Sequence, residues 1–155
     1  WVAPVNIHVS MAFLGDTVSD KVPEVCQVLD AAAGLTPSFT FEVAGLGTFG
    51  RPDSPRVIWA GVRDPEPLKA LHGRIAAGLS SLQIPLEDRP FVPHLTLGRV
   101  KSSRNRRELV EAIRSEEKRS FGHVNAARVV LMRSVLKPTG SEYSIVHAAD
   151  FMASE

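Results

Sequence analysis

Two short stretches of the chain pair an imidazole with a hydroxyl at the same spacing: His8-Val9-Ser10 and His94-Leu95-Thr96. Side chains two residues apart on a strand share a face and lie about 6.6 Å apart along it. A histidine and a hydroxyl so placed can grip one small group between them. Two such strands side by side would set two imidazoles and two hydroxyls around a single anion. Histidine titrates near pH ~6.5, so one imidazole can be neutral while its partner is protonated. The neutral ring takes a proton from water, and the charged ring gives one to a departing ribose oxygen. The hydroxyls donate hydrogen bonds to non-bridging phosphate oxygens, where charge accumulates in the transition state. Phosphodiester cleavage by this scheme needs no metal and no cofactor. One His-x-Ser or His-x-Thr says little, because a lone strand histidine is most often structural. Two copies at matching places in the chain say more.

The elements that must position these residues follow from apolar spacing. Residues 5–14 read as a strand with Asn6, His8, Ser10 and Ala12 on one face. Ser19 is placed to cap a helix carrying Val22, Val25, Val28, Leu29 and Ala32 inward, with Gly34 as its stop. Residues 39–45 and 56–63 read as strands, separated by a loop rich in glycine and proline. Asp64 is placed to cap a second helix, with Pro65 in its first turn and Leu68, Leu71, Ile75 and Leu79 as its buried face. A strand over 92–100 carries His94 and Thr96 on one face. A third helix follows at about 104–116, then strands over 126–136 and 142–151 joined by a turn over 137–141. Each histidine strand is thus followed by a helix and a strand pair, which predicts a duplicated half in an α+β chain. No linker divides the 155 residues, so residues 1–155 are expected to form one domain.

Bulk properties narrow the class. Hydrophobic residues make up 44% and charged residues 23%, as in ordinary globular chains. No apolar run approaches the roughly 20 residues that span a bilayer, and no segment has the pattern of a cleavable signal. Cys26 is the sole cysteine, so no disulfide or cysteine-based zinc site forms within one chain, and a reducing, cytoplasmic setting is expected. Net charge is +1, but residues 99–119 hold eight basic and four acidic side chains, leaving the remainder acidic. A local basic patch suits a polyanion or phosphate end; a solvated helix face with partly paired charges is the plainer reading.

The motifs lie within longer runs: Trp1-Val2, Asn6-x-His8-x-Ser10-x-x-Phe13-Leu14-Gly15, Gly45-x-Gly47-x-Phe49, Arg56-Val57-Ile58-Trp59-Ala60-Gly61-Val62, and Glu87-Asp88-Arg89-Pro90-Phe91-x-Pro93-His94-Leu95-Thr96-Leu97-Gly98-Arg99-Val100. Over nearly its whole length and in this order, the chain resembles the two-histidine (2H) phosphoesterase superfamily. More closely, it is similar to the bacterial and archaeal RNA 2′,3′-cyclic phosphodiesterases, historically called 2′-5′ RNA ligases. The resemblance implies a duplicated fold of two pseudo-twofold lobes, antiparallel sheets facing across a cleft and helices outside. It implies that His8 acts as general acid toward O3′ and His94 as the base that activates water, leaving a 2′-phosphate. It assigns Ser10 and Thr96 to the phosphate oxygens and implies RNA or a nucleotide with a 2′,3′-cyclic phosphate as substrate; a monomer is expected. Ser10 stands where the family usually has threonine; it keeps the hydroxyl and loses a methyl that restricts rotamers. The family has a further strand and helix before the position of Trp1, so the chain is expected to start short of them and to leave a sheet edge uncovered.

Arg99 is also assigned to substrate binding. It lies five residues after His94, and an odd offset faces away in a regular strand, so a bulge or twist must bring it in. Arg128 and Arg133 are read on an inner strand from which they could reach the cleft, with structural pairing the preferred reading. His72, His123 and His147 are read respectively as packed or exposed, in a turn, and half-buried with a partner. Cys26 is read as a buried inert thiol. Phe49, Trp59 and Phe91 are candidates to stack a base, with core packing the default for Trp59. Two other functions stay open on the residues alone: making or breaking 2′-5′ linkages with the same histidines, and RNA or nucleotide binding by a degraded site.

Overall fold

The computed structural model of the chain describes residues 1–17, 19–138 and 140–153. Among these are three α-helices and six strands, an α+β fold with helices and antiparallel strand pairs interleaved along the chain. No helix among the described residues is long and apolar enough to cross a membrane. The chain divides into two compact units, and each is assembled from three separate stretches.

The first unit takes residues 1–11, 40–65 and 92–124. Its frame is the hairpin of β1 (Phe39–Arg51) and β2 (Ser54–Arg63), registered from Glu42 opposite Arg63 to Arg51 opposite Ser54. The glycine-rich loop expected between them is a correction: it is strand up to a turn at Pro52-Asp53. The glycines that suggest a loop serve the sheet instead. Gly47 lets the Trp59 indole lie flat on β1, and Gly50, with φ of 116°, sits at a register shift.

β3 (His94–Arg99) pairs antiparallel with β2, and β4 (Ser120–Ala126) lies beside β1, giving the order β3-β2-β1-β4. β4 is not legible in the sequence, and His123 lies on it rather than in a turn. Its residues are mostly exposed, so no apolar alternation marks it. α3 (Arg106–Ser115) buries Ile113, and its Val110 and Ile113 face a hollow lined by Leu46 and Thr48 of β1. Leu46 and Thr48 alternate with Gly47 and Phe49, so α3 and the Gly47–Phe49 row belong to opposite faces of the sheet.

The second unit takes residues 12–39, 66–91 and those from 125 onward. α1 (Val22–Ala33) buries Val25, Leu29, Ala32 and Ala33, and packs with α2 (Glu66–Ser81), which buries Leu68, Leu71, Ile75 and Leu79. Ser19 does not cap α1. It opens a 3-10 turn, Ser19–Lys21, and α1 starts at Val22 with Pro23 in its first turn, where the missing N–H costs nothing. α2 likewise starts at Glu66, so Pro65 stands just outside it and Pro67 takes the early position. α1 also packs on the ribbon of β5 (Arg128–Lys137) and β6 (Gly140–Asp150). The turn expected over 137–141 includes Thr139, which lies outside the described residues.

Candidate active site

All five assigned residues, His8, Ser10, His94, Thr96 and Arg99, belong to the first unit. β3 carries three of them. Its register on β2 sets His94 opposite Gly61 and Thr96 opposite Trp59. The next pairs are Gly98 opposite Ile58 and Arg99 opposite Val57, so Leu97 is an extra residue on β3. That bulge resets the alternation. Val57 and Trp59 are two apart and share a face, so their partners Arg99 and Thr96 do too. The odd spacing that turns Arg99 away in a regular strand is thereby compensated.

The first motif is not a regular strand, which corrects the expectation for residues 5–14. Pro4–Asn6 form a 3-10 turn, closed by the Ile7 N–H donating to the Pro4 carbonyl at 3.1 Å. The chain then extends, and Val9 forms one antiparallel bridge with Leu95. Continuing that register sets His8 abreast of Thr96 and Ser10 abreast of His94. All four side chains alternate with Val9 and Leu95 and so fall on one face. Each imidazole is then next to the other strand's hydroxyl, with the histidines on a diagonal. His8 and Ser10 are exposed; His94 and Thr96 are half-buried.

The two rings are held in the same way. Nδ1 of His8 lies 2.7 Å from the Asn6 carbonyl oxygen, and Nδ1 of His94 lies 2.7 Å from the Val92 carbonyl oxygen. A carbonyl can only accept, so Nδ1 carries the hydrogen in both rings. Nε2 is then the atom through which each ring exchanges a proton. No letter in the sequence marks these carbonyls as partners; the signal is only that each lies two residues before its histidine.

His94 has a second support. The Phe49 ring meets it edge-on with centroids 4.8 Å apart, and Trp59 lies 6.1 Å from it. Phe49 and Trp59 are themselves 5.5 Å apart. A Cβ on Gly47 would stand 2.2 Å from the Trp59 ring, so glycine at 47 is what admits the indole. The Trp59 indole N–H is buried and meets no acceptor among the described residues. Phe49 remains 39% exposed.

The other singled-out residues have local roles in the second unit. Phe91 stacks flat on His72, centroids 4.1 Å apart, so it is already occupied. Burial pushes the His72 pKa below the ordinary histidine value. His147 meets the Asp30 carboxylate through Nε2 at 2.7 Å. Arg128 lies 4.0 Å from Asp150. Cys26 is half-buried rather than buried, because it lies beside the apolar stripe of α1 and not in it.

Known proteins share this arrangement of chain. An RNA 2′,3′-cyclic phosphodiesterase of Thermotoga maritima is 35% identical over 154 residues, which span 97% of this chain and 79% of that protein. A protein of the same name from Methanothermobacter thermautotrophicus is 35% identical over 145 residues, spanning 93% of this chain and 78% of that protein. Among solved structures, a Thermus thermophilus protein superposes with a TM-score of 0.83 at 27% identity, covering 99% of this chain and 82% of that one. Escherichia coli LigT complexed with 3′-AMP superposes with a TM-score of 0.76, covering 97% of this chain and 79% of that one. At 22% identity this second likeness speaks for the fold alone. The sequence pattern of the 2′-5′ RNA ligase superfamily matches residues 2–137, a span that takes in both histidine motifs and all three helices, and the chain belongs to that superfamily.

Proposed function

We propose that the chain hydrolyses RNA 2′,3′-cyclic phosphate ends to 2′-phosphates by a metal-independent acid–base pair of histidines. The observation that carries this reading is the matched pair of Nδ1-tethered imidazoles, set by one antiparallel bridge on a face shared with two hydroxyls. The names of its relatives support the same chemistry.

His94 takes a proton from water at Nε2, and the water oxygen bonds to phosphorus. The P–O3′ bond breaks, and His8 delivers its Nε2 proton to O3′. The product has a free 3′-hydroxyl and a 2′-phosphate. Ser10 and Thr96 donate to the non-bridging oxygens, and Arg99, on the same face past the bulge, adds positive charge. The fixed tautomer keeps each ring aimed without a separate carboxylate. One chain supplies every group that the scheme uses, which suits a monomer, and its single cysteine suits the cytoplasm.

The test is turnover of a short RNA with a 2′,3′-cyclic phosphate end, in chelator, from about pH 5 to about pH 9. A bell-shaped profile with a 2′-phosphate product, lost in His8→Ala and in His94→Ala, is expected. Loss of activity in chelator would sink the metal-free scheme. A 3′-phosphate product would reverse the assignment of the leaving oxygen.

A further inference from the structure

We propose that the segment leaving β3, through Arg99, Lys101 and Arg104, is a docking strip for the RNA backbone on the 5′ side of the cyclic-phosphate end. This rests on the cyclic phosphodiesterase reading of the site and goes beyond it to how the rest of the substrate is held.

The charge of the 99–119 segment is not spread evenly. Residues 99–107 contain five arginines and lysines and no acid; the acidic residues begin at Glu108. Elsewhere in the first unit, Arg63 pairs with Glu42, Arg51 with Asp53 and Arg119 with Glu116, and within the segment Arg107 pairs with Glu111, while Arg56 and Arg114 stand singly and apart from any run of like charge. Arg99, Lys101 and Arg104 are exposed, and no carboxylate stands within ion-pair distance of them among the described residues. Cations that neutralise no protein group suit an external polyanion.

The position fits the substrate. A 2′,3′-cyclic phosphate closes the 3′ end, so the RNA continues only through the 5′ oxygen of that nucleotide. Its next phosphodiester must lie within one nucleotide's reach of the reacting phosphorus. On β2, the partners of Thr96 and Arg99 are two residues apart, a step of about 6.6 Å. The bulge at Leu97 turns Arg99 to the Thr96 face. The Val100 N–H then donates to the Arg56 carbonyl at 2.9 Å, tying the exit to the sheet. Lys101 follows in extended chain, and Arg104 in the turn that Asn105, with φ of 52°, ends at the start of α3. Lys101 and Arg104 therefore follow Arg99 in chain order beyond the phosphate site, as successive phosphates follow one another along a strand.

The experiment compares two substrates in the native protein and in Lys101→Ala/Arg104→Ala. One is a cyclic mononucleotide, and the other is an RNA oligonucleotide with a cyclic end. In the variant, kcat/KM for the oligonucleotide is expected to fall roughly tenfold at low salt. Its log–log salt slope should flatten by about 1.4, since each lost single-strand phosphate contact is worth about 0.7. Turnover of the mononucleotide should not change. An unaltered oligonucleotide, or a parallel loss on the mononucleotide, overturns the strip. If the native protein turns over neither substrate, the phosphodiesterase reading has failed, and the strip is judged by equilibrium binding of an oligonucleotide with a 2′-phosphate end. Binding weakened roughly tenfold in the variant upholds it; unchanged binding overturns it. A polyglutamate peptide that binds as tightly as RNA, and is lost in the same variant, overturns the assignment to RNA.

Discussion

His94 stands on a strand laddered to β2 at five positions, with Phe49 against its ring and Trp59 nearby. His8 stands on a partly exposed segment that carries a 3-10 turn and is tied to β3 by the Val9–Leu95 bridge and by the Val2 N–H donating to the Leu97 carbonyl at 2.8 Å. The tether from Nδ1 to the carbonyl two residues back is nonetheless the same in both. A proton-transferring imidazole thus needs its tautomer and aim fixed locally, and the stiffness of what lies behind it can differ widely. In the proposed scheme, the base that holds a water benefits from the packed site, and the acid has only to meet an oxygen that the substrate brings to it.

The largest effects should come from the histidines themselves. His8→Ala and His94→Ala should each lower kcat by about 10²–10⁴-fold. His94→Ala should also lower Tm, through the lost contacts with Phe49 and Trp59, by the equivalent of about 1 kcal/mol. An unchanged Tm would remove those ring contacts from the support of that arm. The hydroxyls come next: Thr96→Val and Ser10→Ala should each reduce kcat by about 10²-fold, as loss of an oxyanion donor does. A normal kcat in either would remove that residue from the phosphate site. One added methyl per arm separates them more finely. Gly47→Ala would force Trp59 off β1 and should cost about 1–3 kcal/mol of stability, whereas Ser10→Thr should stay within about 0.5 kcal/mol, both read by denaturant melts. The smallest effect lies outside both arms. Burial lowers the pKa of His72, so the unfolded chain takes up its proton first as pH falls below about 6.5. The stability contributed by the neutral ring is fully present above that pH and is lost as pH falls through the window. His72→Phe should flatten the decline of Tm between about pH 7 and pH 5 without touching turnover; an unchanged slope would assign the decline to other groups.

Much of the α+β pattern was legible because apolar periodicity is strong where an element is buried, as in α1 and α2. The pairing of His8-Val9-Ser10 with His94-Leu95-Thr96 was legible because the spacing repeats. What was hidden depended on partners distant in sequence. β4 is exposed and held by its neighbour β1, so nothing in its own letters alternates. The stretch around Gly47 and Gly50 reads as loop until Trp59 supplies the reason for a glycine in a strand. The facing of Arg99 depends on a bulge set by the β2 register, and parity along β3 alone predicts the opposite. The irregular first arm reads as a strand because apolar and polar residues alternate from Val5 to Phe13, while Pro4 starts a turn that alternation does not register.

The indole of Trp59, 6.1 Å from the His94 ring, gives the protein a built-in optical gauge. A protonated imidazole quenches excited indole far better than a neutral one does. With Trp1, the other tryptophan, replaced by phenylalanine, emission from Trp59 should therefore report the charge on His94 directly. Titrating that emission with and without a bound nucleotide would follow the proton on one ring while its partner stays dark.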